Sequence, residues 1–221
     1  MKSRKQFAII GLGRFGISLI TELSRMGYDV LAIDNDGAKV DDILEFATHA
    51  VQIDSMDKQA LKALGITDFD VVVVAIGQNI QASILTAIIL KEMGVKKLIV
   101  KAQNELHGAV LEKIGTDVVV YPERDMAIRL ARALTSHNVV DQINLSSKYS
   151  ILEIRTPKAF VDKTLVELDV RRKMKVTVVA IKRGDEIIIS PNADQVIRAN
   201  DILVVAGDND SLRILDELDQ R

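Results

Sequence analysis

The stretch IIGLGRFG at residues 9–16 decides the fold, because it places three glycines directly after a short apolar run near the N-terminus. In a turn from a strand into a helix, the first glycine of this spacing makes the turn, the second lets a phosphate approach the backbone, and the third lets helix and strand pack closely. Backbone amides at the start of the helix then face the anion. The alternative is a glycine turn that binds nothing. We expect a nucleotide site at Gly11, Gly13, Arg14, Phe15 and Gly16.

The N-terminal half alternates short β-branched runs with amphipathic stretches of helical period. The runs lie at residues 7–10, 30–33, 50–53, 71–76, 98–100 and 118–121. Continuous apolar strands separated by helices indicate a parallel sheet that is covered on both faces. Six such strands with five intervening helices predict an α/β fold with a doubly wound, Rossmann-type parallel sheet.

The pattern changes after Tyr121. Pro122 suits the first turn of a helix, which we expect to run to about Ser136. A connector of mixed character follows, and then strand-like runs at 150–154, 176–183, 186–190 and 201–207 lead into a closing helix. The expected domains are a nucleotide-binding domain at 1–136, a linker at 137–149 and a small α+β domain at 150–221. The second domain is small enough that self-association would complete its core.

Composition restricts the function classes. The chain has 221 residues, of which 48% are hydrophobic, and a net charge of −2, so it has no general attraction to nucleic acid. With no cysteine there is no disulfide, thiolate zinc site or cysteine nucleophile. The apolar helical stretch at 82–90 is less than half of the ~20 residues that a membrane helix needs. We expect a cytoplasmic protein that acts at a membrane through a partner.

An acidic residue and two polar loops extend the predicted site. Asp34 ends the second strand, where a carboxylate accepts ribose hydroxyls and repels a 2′-phosphate, so NADP is disfavoured. Loops after the third and fourth strands belong beside the base. For Ser55 and Asp57, a helix N-cap explains the residue type as well as contact with the base does. The added positions are Asp34, Asn35, Asp54, Ser55, Asp57, Ile76, Gly77, Gln78 and Asn79.

A long cation is unusual in the middle of a glycine turn. The guanidinium of Arg14 offers bidentate contacts that suit a highly charged group, such as a terminal phosphate, including one bound to a neighbouring subunit. The alternative is a solvent-facing arginine, although the helix dipole disfavours a cation at this end. We therefore expect Arg14 to have an anionic partner.

Taken together, the motifs FAIIGLGRFG, AIGQNIQAS, VKAQN and VLEKIGTDVVVYPERDMA, with the tail domain, resemble the KtrA/KtrC-type gating subunits of bacterial potassium uptake systems, within the wider RCK and TrkA group. The resemblance covers essentially the whole chain. It implies an octameric ring beneath a membrane potassium channel subunit of the KtrB/KtrD or TrkH kind, activated by ATP and inhibited by ADP. It also implies that Arg14 contacts the terminal phosphate across a dimer interface, that Lys101 lies near the phosphates, and that Glu123 helps hold a divalent or sodium cation.

The tail carries a basic cluster of Arg171, Arg172, Lys173 and Lys175. A solvated helix end is the ordinary interpretation of such a cluster. An apolar cleft with arginines at its mouth could instead hold a nucleobase and phosphates. The family resemblance implies that this domain binds inhibitory cyclic di-AMP at Leu168, Asp169, Arg171, Val176 and Pro191.

No catalytic pattern stands out. The three histidines, His49, His107 and His137, have no spacing typical of a metal site or a triad. We expect a ligand-driven switch and no enzyme. The alternative is an NAD-dependent oxidoreductase, which would bind NADH tightly and ATP poorly. A DNA-binding redox repressor is disfavoured because no helix with a basic recognition face is visible.

Overall fold

The computed structural model of the chain describes residues 4–135 and 139–220, and it divides into two compact units, Met1–Arg124 and Asp125–Arg221. The expected boundary between the first domain and the linker, at 136–137, lies outside the described residues, as does His137. The domain limits of the sequence analysis therefore stay predictions.

The first unit contains a parallel sheet in the order β3-β2-β1-β4-β5-β6. Its strands are β1 (Gln6–Ile10), β2 (Asp29–Asp34), β3 (His49–Gln52), β4 (Val71–Val74), β5 (Leu98–Lys101) and β6 (Val118–Val120). The helices between them are α1 (Arg14–Arg25), α2 (Gly37–Ile43), α3 (Lys58–Ala63), α4 (Ile80–Met93) and α5 (Glu105–Ile114). The predicted doubly wound fold is confirmed.

Successive side chains along the strands pack into buried clusters on both faces of this sheet. In β1, Ile10 belongs to one buried cluster and Ile9 to the other, and in β4 Val74 and Val73 divide in the same way. Successive strand side chains point to opposite faces, so a wholly apolar strand can supply two cores. The strand order reverses between β1 and β4, which creates a crevice at the carboxyl ends of these two strands.

Helix α6 (Pro122–Thr135) follows the sheet, as the sequence predicts. The second unit holds an antiparallel sheet in the order β10-β9-β11-β8-β7. Its strands are β7 (Val139–Asn144), β8 (Tyr149–Arg155), β9 (Thr177–Arg183), β10 (Glu186–Ile189) and β11 (Ile202–Asp208), and its helices are α7 (Leu165–Leu168), α8 (Val170–Met174) and α9 (Asn209–Asp216). This α+β arrangement has its own buried cluster, so the predicted second fold is also confirmed.

Strand β7 falls within the stretch that the sequence analysis treats as a connector. It pairs antiparallel with β8, from Val139 opposite Ile154 to Asn144 opposite Ser150. The polar residues of β7 interrupt the apolar alternation that would predict a strand. The strand forms by pairing with β8, which lies later in the chain, so the residues of β7 alone do not indicate it. Among the described helices, none is long and apolar enough to cross a lipid bilayer.

Candidate nucleotide site

A cleft of about 850 Å³ opens at the carboxyl ends of the parallel strands in the first unit. Residues from the ends of β1, β2 and β5 and from the loops after β3 and β4 line it. This is the crevice at the point where the strand order reverses, and it is where doubly wound sheets bind their ligands. Of the site residues predicted in this unit, all but Gly16 and Asp57 line the cleft.

Two glycines of the turn are required by the packing of the chain itself. Gly11 has a φ of +101°, and a Cβ there would lie 2.8 Å from the amide nitrogen of Ile76. A Cβ on Gly16 would lie 2.0 Å from the carbonyl oxygen of Gly11. The first turn of α1 therefore packs against the loop at a distance that no side chain allows.

Gly13 differs from the other two. Among the described residues, no atom other than those of its chain neighbours lies within 4 Å of the Cβ that another amino acid would have there, and Gly13 lines the cleft as the N-cap of α1. Packing does not demand this glycine, but a phosphate at the helix start would. Arg14 and Phe15 follow it in the first turn, and both line the cleft.

Asp34 is buried at the end of β2, with 7% of its surface exposed. One carboxylate oxygen accepts a hydrogen bond of 2.6 Å from the Leu12 amide and the other accepts one of 3.0 Å from the Asp36 amide. The ammonium of Lys39 lies 3.6 Å away. A carboxylate can accept about four hydrogen bonds, so capacity for ribose hydroxyls remains. The same residue thus ties the glycine turn to β2.

Some polar residues of the loops after β3 and β4 cap helices, and others line the cleft. Asp57 caps α3 by accepting from the amides of Gln59 and Ala60, and it does not line the cleft. Asn79 caps α4 and also lines the cleft. Asp54 and Ser55 line the cleft, but Ser55 is 8% exposed and its hydroxyl is hydrogen-bonded to Thr86 at 2.8 Å.

Lys101 ends β5 and reaches into the cleft, with 8% of its surface exposed. Its ammonium donates a hydrogen bond of 2.5 Å to Glu123 in the first turn of α6, and it lies 5.8 Å from the centroid of the Phe15 ring. A Cβ on Gly77 would lie 3.8 Å from it. The lysine therefore faces the glycine turn from the opposite side of the crevice.

Three polar lining residues were missed by the sequence analysis: Lys39, Gln103 and Asn104. Gln103 and Asn104 follow β5 as Gln78 and Asn79 follow β4, so the rule that selected the earlier loop could have found them. Lys39 lies in α2, and its approach to Asp34 depends on the loop between β2 and α2. No local pattern of the sequence points to it.

The described residues contain no cluster of three or more acidic or histidine side chains suited to a metal ion. Glu123 as a cation ligand between paired nucleotides therefore stays a prediction. Such a site would need ligands from the nucleotide or from a second copy of the chain.

The predicted tail residues take different environments in the second unit. Leu168 and Val176 are buried in its core, and Arg171 is exposed on α8. Asp169 joins α7 to α8 in a left-handed conformation with a φ of 46°, and Pro191 follows β10. A pocket of about 330 Å³ in this unit is lined by other residues: Arg183, Asn192, Asp194, Gln195, Val196 and Arg198.

Comparison with known proteins places both units in described domain families. Residues 7–122 match the TrkA-N domain and residues 150–218 match the TrkA-C domain. The chain is 52% identical over 204 residues to Ktr system potassium uptake protein C of Bacillus subtilis (strain 168), covering 92% of each chain. It is 46% identical over 203 residues to Ktr system potassium uptake protein A of the same organism, covering 92% of this chain and 91% of the relative.

Among solved structures, the crystal structure of the GsuK RCK domain is similar with a TM-score of 0.69 at 18% identity. The match covers 100% of this chain and 48% of that one, so this chain spans about half the length of the GsuK chain. At this identity the similarity shows the fold alone.

Proposed function

The chain belongs to the KtrA/KtrC-type family of potassium uptake subunits, built from a TrkA-N and a TrkA-C domain, and on that premise we propose that it is a nucleotide-binding regulatory subunit of a membrane potassium transporter. The proposed partner is a membrane potassium channel subunit of the KtrB/KtrD or TrkH kind, bound on the cytoplasmic face of the membrane. The proposed assembly is a homo-oligomeric ring of eight copies.

The cleft supports a nucleotide as the regulatory ligand. The α1 N-terminus, the open position at Gly13 and the ammonium of Lys101 converge where phosphates would lie. Asp34 accepts a hydrogen bond from Leu12 of the glycine turn and lines the cleft, where it can accept ribose hydroxyls. This convergence of an anion-binding turn and a buried lysine is the observation that carries the proposal.

In the proposed mechanism, Arg14 distinguishes ATP from ADP. Its side chain is exposed in a single chain, at the mouth of the cleft, so it can reach the terminal phosphate of a nucleotide on a facing copy. Only a ligand that binds two shapes with different affinity shifts the balance between them. A coupling of about 1–3 kcal/mol between nucleotide and ring shape is ordinary for such a switch. ATP would activate transport and ADP would inhibit it.

The test is calorimetric titration of the full chain with ATP, ADP and NADH, with sedimentation of each complex. We expect ATP and ADP to bind and to favour different assembled shapes, and Arg14→Ala to abolish the difference between them. Arg25→Ala, at the other end of α1, is the matched control and leaves both affinities unchanged. Equal behaviour of ATP and ADP in the wild-type chain would refute the sensing mechanism. Tight NADH binding with negligible ATP binding would favour the oxidoreductase.

We also propose cyclic di-AMP as an inhibitory ligand of the second unit, on the family resemblance of residues 168–191. The exposed Arg171 is the testable contact, because its guanidinium suits a phosphate and its loss does not disturb the core. Arg171→Ala should weaken cyclic di-AMP binding in a calorimetric titration, whereas Lys148→Ala, an exposed cation elsewhere in the unit, should not. Unchanged binding in Arg171→Ala would discard this assignment.

A further inference from the structure

The charges that line the cleft are balanced. Of the described residues that line it, six are charged, with three cations and three carboxylates: Arg14, Lys39 and Lys101, and Asp34, Asp54 and Glu123. A site built to bind several phosphates would ordinarily carry a net positive charge. The distribution of the three carboxylates therefore matters.

Two of the carboxylates have partners other than the cations proposed to meet the phosphates. Asp34 accepts from backbone amides and lies 3.6 Å from Lys39. Asp54 accepts a hydrogen bond of 2.9 Å from the amide of Met56. Neither contact involves Lys101 or Arg14.

Glu123 is the carboxylate that faces the phosphate-end cations. Its oxygen accepts the 2.5 Å hydrogen bond from Lys101, and that bond lowers the pKa of Glu123, with partial burial opposing it and the charge of Arg14 lowering it further. The two partners differ in exposure, because the Lys101 side chain is 10% exposed and that of Glu123 is 71% exposed. The lysine is confined to the cleft, whereas the glutamate reaches in from the rim and can leave.

We propose that Glu123 is an internal competitor of the nucleotide, which holds the ammonium of Lys101 until a phosphate group replaces it. The inference rests on the proposed nucleotide site and adds that nucleotide binding breaks the contact between Lys101 and Glu123. A phosphate that pairs with Lys101 is repelled by the Glu123 carboxylate, because the two anions carry like charge, and this repulsion favours the release of Glu123. Glu123 therefore sets the negative charge that a ligand needs in order to displace it from Lys101.

The consequence is that nucleotide binding in the cleft alters the contacts of the first turn of α6. Glu123 is the second residue of this helix, so its release changes the contact between β5 and the helix start. Adenosine, which brings no phosphate, would leave the Lys101–Glu123 pair intact. The exchange also frees the Glu123 carboxylate for the cation contact predicted above.

The test compares Glu123→Gln with the wild-type chain by calorimetry in buffer that contains EDTA, so that no divalent cation contributes. The amide keeps the size of the side chain and removes its charge. We expect ADP affinity to rise about tenfold, within the range usual for coupled contacts, and adenosine affinity to stay the same. Glu22→Gln is the matched control, because Glu22 is also paired with a cation on a helix but does not line the cleft.

ADP affinity that is unchanged or weaker in Glu123→Gln, with adenosine binding preserved, would overturn the inference. Failure of the wild-type chain to bind ADP would instead refute the proposed function, so the two failures are distinguishable. If Glu123→Gln does not fold, Glu123→Asp serves in its place. Its shorter carboxylate should hold Lys101 less well and raise ADP affinity by a smaller factor, and an unchanged affinity would count against the competitor.

Discussion

At residue scale, the glycines of the IIGLGRFG turn have separate physical roles. Gly16 allows α1 to approach the loop, since a Cβ there would lie 2.0 Å from the Gly11 carbonyl oxygen. Gly13 faces open space, so the packing of the described residues does not require its small size. The sequence spacing predicted a packing role for Gly16, which the distances support, whereas the binding role predicted for Gly13 stays a prediction.

Paired substitutions separate the two roles. Gly16→Ala should lower the free energy of unfolding by about 1–3 kcal/mol, because the added methyl group meets backbone that must shift. Gly13→Ala should change it by less than about 1 kcal/mol, the scale of an N-cap change, while it weakens ADP binding. Urea unfolding and calorimetry on both variants check this. Equal loss of stability in the two variants would contradict the assignment.

His107 is a buried residue whose role the sequence did not reveal. It is 3% exposed, its Nδ1 accepts a hydrogen bond of 3.3 Å from the Gln103 amide, and its own amide donates to Asn104 at 2.9 Å. Burial lowers the pKa of His107, because the charged imidazolium is costly away from water. The neutral ring therefore supports the loop that carries Gln103 and Asn104 into the cleft.

This environment predicts a pH dependence of stability. The pKa of His107 is lower in the folded chain than in the unfolded one, so the unfolded state binds the proton more readily near pH 6. The free energy of unfolding should therefore fall as the pH drops below about 6.5, the ordinary value for histidine. Urea unfolding at pH 7.5 and pH 5.5 should show a smaller drop for His107→Gln than for the wild type. The same drop in both would exclude His107 as the cause.

At the scale of elements, periodicity found the parallel strands because each is apolar along its whole length. The run at 71–76 predicted β4, which ends at Val74 because the last two residues already belong to the cleft loop. Strand β7 was not predicted. Its exposed and polar positions alternate poorly, and it pairs through its backbone with β8, where Gln142 of β7 also donates a side-chain hydrogen bond to Ser150.

Removal of the Ser150 hydroxyl tests what its hydrogen bonds contribute to β7. The Ser150 hydroxyl is fully buried and is hydrogen-bonded to Asn209 at 2.8 Å and to Gln142 of β7 at 3.1 Å. Ser150→Ala removes these hydrogen bonds and should cost about 0.5–1.5 kcal/mol, since the half-buried Gln142 and the exposed Asn209 can bond to water instead. Ser147→Ala, in the exposed turn before β8, should stay within about 0.5 kcal/mol. Urea unfolding measures both, and faster amide hydrogen exchange in β7 should accompany the loss.

At the scale of the whole molecule, the chain consists of two units with separate buried clusters. The parallel sheet of the first unit carries the cleft, and helix α8 of the second unit carries the exposed Arg171 of the proposed second ligand site. A ligand that binds one folded unit stabilises that unit by mass action.

Amide hydrogen exchange with and without ADP tests this division. At an ADP concentration 100 times the dissociation constant, the slowest amides of β1 and β4 should exchange about 100-fold more slowly, which corresponds to about 2.7 kcal/mol. The slowest amides of β8 and β11 should change much less, because these strands pack in a separate buried cluster of the unit that does not carry the cleft. Equal slowing in both sheets would show that the chain unfolds as one cooperative unit.

The sequence by itself determined the two folds, the position of the glycine turn and the position of Asp34 at the end of β2, because strand periodicity and turn chemistry are local properties of the chain. The tertiary structure decided which side chains meet. It brought Lys39 to Asp34 and Lys101 to Glu123, showed that Asp57 caps a helix outside the cleft, and paired β7 with β8. These contacts join residues from different elements, and their partners are set by how the strands and helices pack, which no short stretch of sequence encodes.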